Sequence, residues 1–232
     1  AREFAAQVAR RAAGEPIAHI VGLREFWSLE LEVNADTLIP RPDTERLVEL
    51  ALTHIPVAAD WRILDLGTGS GAIALAIARE RPHARIIASD ISPSALALAQ
   101  DNARALGITN VEFRLGDWCA ALRESCEVIV SNPPYVRADD AHLTQGDVRF
   151  EPMLALAAGV DGLSAIRAVA AQARTYLAAG GVLIMEHGYD QQSAVIEILQ
   201  SHDYRDIEGL RDLAAQPRAV AARIAQSAHS GQ

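Results

Sequence analysis

The amino-acid sequence predicts an α/β fold in which a doubly wound, mostly parallel, seven-stranded sheet follows a short N-terminal helical segment and a hairpin. Three observations support this prediction. Short apolar runs alternate with segments of helical pattern, which is typical of a parallel sheet covered by helices on both faces. A glycine-rich turn follows the first run, and an acidic residue ends the second. The predicted sheet strands are residues 62–66, 85–89, 111–115, 127–131, 181–186, 204–207 and 219–224.

Local signals set the limits of the other elements. A helix is predicted over residues 2–13, because a glycine and a proline follow it closely. Alternating apolar and polar side chains predict a strand or hairpin over residues 26–33, and Asp43 is expected to cap the next helix. Ser92 followed by Pro93 is a typical helix start. The remaining helices are predicted over residues 44–55, 72–81, 92–107, 164–178 and 191–202, and the chain is expected to fray from about Ser227.

The composition limits the functions that the chain can serve. Its 232 residues carry a formal net charge of -9, which disfavours non-specific contact with a polyphosphate backbone. Two cysteines are too few for a disulfide framework or a Cys-rich zinc site, and the histidines are not paired at metal-ligand spacing. No apolar run is long enough to span a membrane. We therefore expect a cytoplasmic protein with no metal site, no membrane association and no direct nucleic-acid binding.

A glycine-rich turn and a more distant acid form the first candidate site. The turn, Gly67-Thr68-Gly69-Ser70-Gly71, directly follows the first predicted sheet strand. Glycines there let the backbone turn sharply and approach a ligand closely. Asp90 ends the second strand, where a carboxylate can accept hydrogen bonds from both ribose hydroxyls of an adenosine. Dinucleotide enzymes use the same arrangement, so this site predicts an adenosine-bearing cofactor without identifying it.

The segment Ser131-Asn132-Pro133-Pro134-Tyr135 forms the second candidate site. An amide or aromatic exocyclic nitrogen is a poor nucleophile, because its lone pair is delocalised. A site helps by accepting both N–H hydrogen bonds, which aligns the nitrogen and favours the charge that builds during attack. The Asn132 side-chain oxygen and the Pro133 carbonyl are the predicted acceptors, and the two prolines stiffen the loop. Tyr135 is expected to stack on the flat target group.

The two candidate sites are expected to face one crevice. In a doubly wound sheet, ligands bind at the carboxyl ends of the strands, at the point where strand order reverses. If the strands over 62–66 and 127–131 flank that point, one loop holds a cofactor and the other holds the acceptor nitrogen. Their joint placement is more informative than either loop alone.

Residues 65–71 (DLGTGSG), which contain the glycine turn, followed by residues 132–135 (NPPY), resemble the class I S-adenosylmethionine-dependent methyltransferases. The wider pattern is similar to the bacterial glutamine methyltransferases of peptide-chain release factors, and the likeness spans nearly the whole chain. It is carried by residues 14–16 (GEP), 39–45 (IPRPDTE), 117–118 (DW), 131–135 (SNPPY) and 151–152 (EP), with residues 38–45 as its most specific part.

The resemblance implies a Rossmann-like class I methyltransferase fold, S-adenosylmethionine as cofactor, and release factors as partners, methylated on the glutamine of a Gly-Gly-Gln motif. It implies cofactor contacts from Gly67, Thr68, Gly69, Ser70, Gly71, Asp90, Trp118 and Asn132, and substrate contacts from Asn132, Pro133, Pro134 and Tyr135. The predicted catalytic residues are Asn132, Pro133 and Tyr135. Residues 1–37 are expected to be the remnant of an N-terminal helical substrate-docking module with a hairpin, and residues 38–232 the methyltransferase domain.

Three alternatives stay open. They are a glutamine methyltransferase of a ribosomal protein, an adenine amino-methyltransferase of DNA that flips its target base, and a nucleotide-binding module without chemistry. The acidic net charge and the lack of a DNA-recognition domain disfavour the DNA enzyme. The intact segment from Ser131 to Tyr135, which we call the acceptor loop, disfavours the inert module.

Four single residues have two interpretations each. Trp118 stacks on adenine or belongs to the core, and we prefer the adenine role. Arg41 and Glu45 either order the loop over the cofactor or pair with each other at the helix start. His187 is interpreted as a structural residue at a strand end rather than a catalytic one.

Overall fold

The computed structural model describes residues 2–212 and 214–224. It confirms the mostly parallel seven-stranded sheet with helices on both faces and a separate hairpin. The helices are α1 (Arg2–Ala12), α2 (Ile17–Val21), α3 (Glu45–His54), α4 (Ala72–Glu80), α5 (Pro93–Ala105), α6 (Ser164–Tyr176) and α7 (Gln192–Ser201). The strands are β1 (Leu23–Phe26), β2 (Leu29–Glu32), β3 (Arg62–Leu66), β4 (Arg85–Asp90), β5 (Val111–Leu115), β6 (Cys126–Ser131), β7 (Leu177–Glu186), β8 (Tyr204–Arg211) and β9 (Pro217–Ile224). None of the described helices is long and apolar enough to cross a membrane.

The large sheet has the strand order β5-β4-β3-β6-β7-β9-β8. The five strands β5, β4, β3, β6 and β7 run parallel to one another. Strand β9 runs antiparallel to both β7 and β8. From β3 the chain moves outward to β4 and β5, and it then returns to the other side of β3 as β6. Strand order therefore reverses between β3 and β6, where Leu66 pairs with Ser131. The two candidate loops leave the sheet side by side, as the sequence predicted.

Two apolar clusters cover the two faces of this sheet. Successive side chains of a strand point to opposite faces, so Ile63 joins the cluster formed with α3, α4 and the hairpin, while Leu64 joins the cluster formed with α6 and α7. Both side chains are fully buried. Burial on both faces explains why β3 reads as a continuous apolar run, and it holds the carboxyl end of β3 firmly beneath the glycine turn.

The hairpin of β1 and β2 packs onto the first of these clusters through Phe26, Leu29 and Leu31. Its two turn residues, Trp27 and Ser28, both have positive φ, which is the geometry of a type I′ turn. The sequence located the second arm but missed that the first arm begins at residue 23, because Trp-Ser lacks the Asn-Gly pattern that usually marks such a turn.

Helix starts follow the sequence in one case and depart from it in another. Ser92 caps α5 as predicted, since its hydroxyl accepts a hydrogen bond from the Ala95 N–H at 3.2 Å. The predicted cap at Asp43 is wrong. A 3-10 turn over Pro42–Thr44 leads into α3, and Thr44 takes the N-cap position without a capping side-chain hydrogen bond. The Thr44 hydroxyl is thereby available for the site described below.

Other limits differ by a few residues. Helix α2, which Pro16 precedes, was not predicted. Strand β7 begins at Leu177 rather than 181, because the backbone becomes extended directly after α6. Helix α5 ends at Ala105, and Gly107 follows with φ of 66°. The expected fraying from Ser227 lies outside the described residues.

Candidate active site

A cavity of about 510 Å³ opens at the carboxyl ends of β3, β4 and β6. Most of the predicted site residues line it: Gly67, Thr68, Gly69, Ser70, Asp90, Trp118, Asn132 and Pro134. Gly71, Pro133 and Tyr135 do not. A later segment of the chain also lines the cavity, with Pro152, Leu154, Ala155, Ala157 and Ala158. The two predicted loops thus share one mostly apolar cavity with convergent polar groups, which is the usual form of a small-molecule site.

The glycine turn approaches the cavity with its backbone. Gly67 and Gly69 have φ of 70° and 56°, a region that favours glycine. A Cβ atom on Gly69 would meet nothing closer than the Thr37 Cβ at 4.0 Å, so the space beside this residue is open to a ligand. Gly71 has another role, since a Cβ there would lie 3.1 Å from Leu75 and 3.2 Å from Ala99. It permits close packing of α4 on α5.

Asp90 ends β4 at the rim of the cavity, as predicted. Its Oδ2 accepts a hydrogen bond from the Gly69 N–H at 2.9 Å, and its Oδ1 accepts one from the Ser92 N–H at 2.9 Å. These two backbone donors fix the direction of the carboxylate, while its remaining lone pairs are free to accept further hydrogen bonds. Trp118 faces the same turn, because its Cζ3 would lie 3.8 Å from a Cβ on Gly67.

Asp65 begins the motif that contains the glycine turn and lies beneath that turn, but the sequence predicted no role for it. Its Oδ2 accepts hydrogen bonds from the Thr68 hydroxyl at 2.7 Å and the Ala74 N–H at 3.2 Å. Its Oδ1 is buried without a partner among the described residues. Burial raises the pKa of Asp65 to about 7, against the lowering effect of these hydrogen bonds. An acid in an otherwise apolar strand was the signal that could have found it.

The acceptor loop presents Asn132 to the cavity. The Asn132 Nδ2 donates to the Thr44 Oγ1 at 3.2 Å. No described residue donates to the Asn132 Oδ1, so the oxygen of this amide is free to accept hydrogen bonds from a ligand. Pro134 lines the cavity next to it, whereas Pro133 is buried.

Tyr135 anchors the far side of the acceptor loop. Its hydroxyl donates to the Glu186 Oε1 at 3.0 Å, and its carbonyl accepts from the Gln191 Nε2 at 2.9 Å. Burial and the neighbouring carboxylate raise the pKa of Tyr135 well above its usual range, so the phenol stays protonated as the donor.

Glu186 ends β7 with only 2% of its surface exposed. Its Oε2 has no hydrogen-bond partner among the described residues, although the Thr44 hydroxyl is near enough to lower its pKa. Burial dominates and raises the pKa of Glu186 to about 7. Sequence reasoning missed both Glu186 and Thr44. An acid that closes a buried strand, and a hydroxyl within the specific segment 38–45, were the available signals.

Arg41 and Glu45 do not pair with each other. Arg41 forms an ion pair with the buried Glu151 instead, and the Glu151 Oε2 also accepts from the Ile39 N–H at 3.4 Å. Glu45 accepts from the Trp27 N–H at 2.9 Å and so ties α3 to the hairpin turn. The Arg41 pair joins the segment that carries Pro40 to the segment that carries Pro152, and both prolines line the cavity.

His187 is fully buried behind the acceptor loop. Its Nδ1 lies 2.8 Å from the Gly188 carbonyl, and its Nε2 has no partner among the described residues. Burial lowers the pKa of this histidine, so it stays neutral. It does not line the cavity, which agrees with a structural role. Within the described part of the chain, no three His, Cys, Asp or Glu side chains are grouped to hold a metal ion.

Comparison with known proteins agrees with this geometry. Residues 58–217 match the family described as a methyltransferase domain. The chain is 51% identical over 223 residues to the release factor glutamine methyltransferase of Coxiella burnetii, covering 96% of this chain and 80% of that protein. The crystal structure of a release factor-specific protein-(glutamine-N5) methyltransferase from Alicyclobacillus acidocaldarius is 28% identical, with a TM-score of 0.51 over 84% of this chain and 99% of that one. A methyltransferase from Pyrococcus furiosus shares the fold at 15% identity, with a TM-score of 0.66 over 96% of this chain and 100% of that one.

Proposed function

Because this chain belongs to the release factor glutamine methyltransferase family, we propose that it transfers a methyl group from S-adenosylmethionine to the side-chain amide nitrogen of a glutamine in peptide-chain release factors. One observation carries the proposal. Asn132, whose amide oxygen accepts no hydrogen bond from a described residue, lines the same cavity as the glycine turn and Asp90. A group that binds an amide nitrogen and a group that binds an adenosine are thus held together.

The cavity suits S-adenosylmethionine, whose bound sulfonium supplies an electrophilic methyl group. Asp90 is positioned to accept hydrogen bonds from ribose hydroxyls, and Trp118 offers a flat ring for adenine. Thr37 carries a buried hydroxyl that has no partner among the described residues, and it lines the cavity opposite Gly69. A buried polar atom without a partner is costly, so we assign this hydroxyl to a polar group of the cofactor.

The acceptor amide is proposed to bind between Asn132 and Pro134. The Asn132 Oδ1 accepts one N–H hydrogen bond, and the Pro133 carbonyl is the proposed second acceptor. Two fixed acceptors align the nitrogen and stabilise the positive charge that grows on it during attack. Tyr135 holds the acceptor loop through the hydrogen bond from its hydroxyl to Glu186. We also propose that Tyr135 contacts the flat amide of the substrate, because it directly follows Pro134 in the chain.

Residues 1–37 are proposed to help dock the protein substrate. Helix α1 buries none of its residues, and it exposes Phe4 and Val8, which lie one turn apart on one face. An ion pair between Arg11 and Asp147 holds this helix beside the segment that leads to the cavity wall. The hairpin within this segment packs against the core of the methyltransferase domain proposed over residues 38–232.

Methyl transfer to purified substrates tests the proposed function. The chain is incubated with S-adenosylmethionine labelled on its methyl group and, in separate reactions, with a bacterial release factor, total ribosomal protein and duplex DNA. We expect label only in the release factor, on one glutamine that peptide mass spectrometry identifies.

The Asn132→Ala variant is the matched control, because its cavity keeps the glycine turn and Asp90. Label in a ribosomal protein or in adenine, but not in the release factor, would replace the proposed substrate with one of the alternatives. Transfer to none of the three, by a protein that binds the cofactor, would contradict the proposal.

A further inference from the structure

The two ends of the Asn132 amide are nearly the same size and opposite in hydrogen-bonding character. The oxygen accepts hydrogen bonds, whereas the NH₂ group only donates them. Under the proposed function, on which this inference rests, the target nitrogen must meet the oxygen. An amide rotated by half a turn would present its own N–H groups to the N–H groups of the substrate. A neighbouring group of the protein must therefore favour the orientation in which the Asn132 oxygen meets the target nitrogen.

Thr44 is the described residue that bonds to the Asn132 side chain, at 3.2 Å from Nδ2. A hydroxyl can accept from an NH₂ group or donate to a carbonyl oxygen. Thr44 therefore stabilises either orientation of Asn132, depending on where its own hydrogen points. The Thr44 residue is only 5% exposed, so water has little access to compete for that hydrogen.

The Glu186 carboxylate is the second group toward which the Thr44 hydrogen can point. An ionised carboxylate only accepts hydrogen bonds. The Glu186 Oε1 already accepts from the Tyr135 hydroxyl at 3.0 Å. Its Oε2 is buried and forms no hydrogen bond with a described residue, while the Thr44 hydroxyl is near enough to lower its pKa. When the Thr44 hydrogen turns to this carboxylate, its oxygen is left to accept from the Asn132 NH₂.

We propose that Glu186 acts through Thr44 as a positioning residue that keeps the Asn132 amide oxygen turned toward the acceptor nitrogen. Thr44 lines the cavity beside Asn132 and Glu186 does not, and the role proposed for both is to orient the Asn132 amide. We call this path of hydrogen bonds from Glu186 through Thr44 to Asn132 the positioning relay. Protonation of Glu186 would reverse the positioning relay, because the protonated acid could then donate a hydrogen bond to Thr44. The Thr44 hydrogen would be released toward Asn132, where it attracts the amide oxygen and turns the NH₂ group into the cavity.

Several charged groups around Glu186 set its protonation. Arg218 of β9 favours the ionised form, whereas Asp43 of the 3-10 turn opposes it. Tyr135 donates from the acceptor loop, and the adjacent His187 is neutral because burial lowers its pKa. The outcome is a pKa of about 7 for Glu186. The fraction of correctly oriented Asn132 should therefore fall as the pH drops below neutrality.

The first test compares Thr44→Val with Thr44→Ser. Valine matches the shape of threonine but cannot relay a hydrogen bond, whereas serine keeps the hydroxyl. We expect Thr44→Val to lower the single-turnover methylation rate about 10-fold, the effect of one lost hydrogen bond, and Thr44→Ser to stay within about threefold of the wild type. Calorimetry should find the dissociation constant of S-adenosylmethionine changed by less than about twofold in both variants. Equal rates for the two variants would overturn the proposal.

The second test is the pH dependence of the same rate. Asp65 also has a raised pKa of about 7, so the wild-type profile alone does not identify Glu186. Glu186→Gln and Thr44→Val both break the relay while Asp65 remains. We expect the wild-type rate to fall below about pH 7 more steeply than the rate of either variant. Parallel profiles for all three proteins would exclude Glu186 as the positioning residue. Melting temperatures, measured beside them, show whether a variant is folded.

A third measurement does not depend on any substrate. The side-chain NH₂ signals of Asn132 are assigned in a ¹H–¹⁵N spectrum by their loss in Asn132→Ala. In the wild type they should shift with the pH near the pKa of Glu186, and in Thr44→Val that shift should disappear. If the release factor is not methylated but these shifts occur, the proposed function fails and the positioning relay stands. If the Asn132 NH₂ signals of the wild type do not shift with the pH, the positioning relay is excluded, whichever substrate the protein methylates.

Discussion

The Ser131 hydroxyl donates a hydrogen bond to the Leu66 carbonyl at 2.9 Å, across the two strands where the order of the sheet reverses. Each residue is the last of its strand and the one before a site loop. The bond is fully buried. It therefore fixes the distance between the glycine turn and the acceptor loop at the point where both leave the sheet, and neither loop can move far without the other.

Replacing Asn132 by alanine should slow methyl transfer about 100-fold or more, as expected for one preorganised polar group of an active site. The fold should survive, because this half-buried loop residue contributes little to the core. Cofactor affinity should fall only modestly, since the glycine turn and Asp90 remain. Single-turnover rates and melting temperatures of one sample check this, and a near-normal rate in stable protein would remove Asn132 from the mechanism.

Replacing Asp90 by alanine should weaken the binding of S-adenosylmethionine by about 1–3 kcal/mol, the range for hydrogen bonds to a charged group. The loss has two sources, because the carboxylate also holds the Gly69 N–H. Asp90→Asn keeps one acceptor oxygen and should fall between the wild type and alanine. Calorimetric titration gives the three affinities, and unchanged binding in Asp90→Ala would refute the assignment to the ribose.

Replacing Thr37 by valine should separate cofactor binding from stability. The valine removes a buried hydroxyl that has no partner among the described residues, so the cofactor-free protein should melt at the same or a higher temperature. Binding of S-adenosylmethionine should weaken by about 1 kcal/mol if the hydroxyl bonds to it. Melting curves with and without cofactor measure both effects. An equal stabilisation by the cofactor in both proteins would contradict the assignment.

Asp65 should make stability depend on pH in an unusual direction. Its pKa is about 7 in the folded protein, against an ordinary value of 3.8, so between these values the folded state binds more protons than the unfolded state. Stability should therefore decrease as the pH rises from about 4 to 7. Asp65→Asn should make the free energy of unfolding depend less steeply on pH. The pH dependence that remains is expected from Glu186, whose pKa is also raised. Urea denaturation at several pH values measures the free energy of unfolding. Identical pH dependences for the wild type and Asp65→Asn would contradict the raised pKa of Asp65.

Local chemistry explains what could be predicted from the sequence. The cap at Ser92 and the turn at Gly67 depend on residues close together in the chain, so the local sequence pattern predicts both. The pairing of parallel strands follows from their alternation with helices. Thr44, Glu186 and Thr37 were missed because their roles come from contacts between distant segments. Thr44 meets Asn132 across 88 positions, and no periodicity or spacing encodes such a meeting.

The antiparallel position of β9 has a consequence for the order of events during synthesis. Strand β9 pairs with β7 and supplies Arg218, whose charge acts on Glu186 and whose carbonyl accepts from the His187 N–H at 2.9 Å. Ribosomes add residues in chain order, so the glycine turn and the acceptor loop emerge long before the strand that borders Glu186. Contacts between distant segments also form slowly during folding. A nascent chain should therefore acquire its cofactor cavity early and its fully ordered acceptor site only after β9 has left the ribosome.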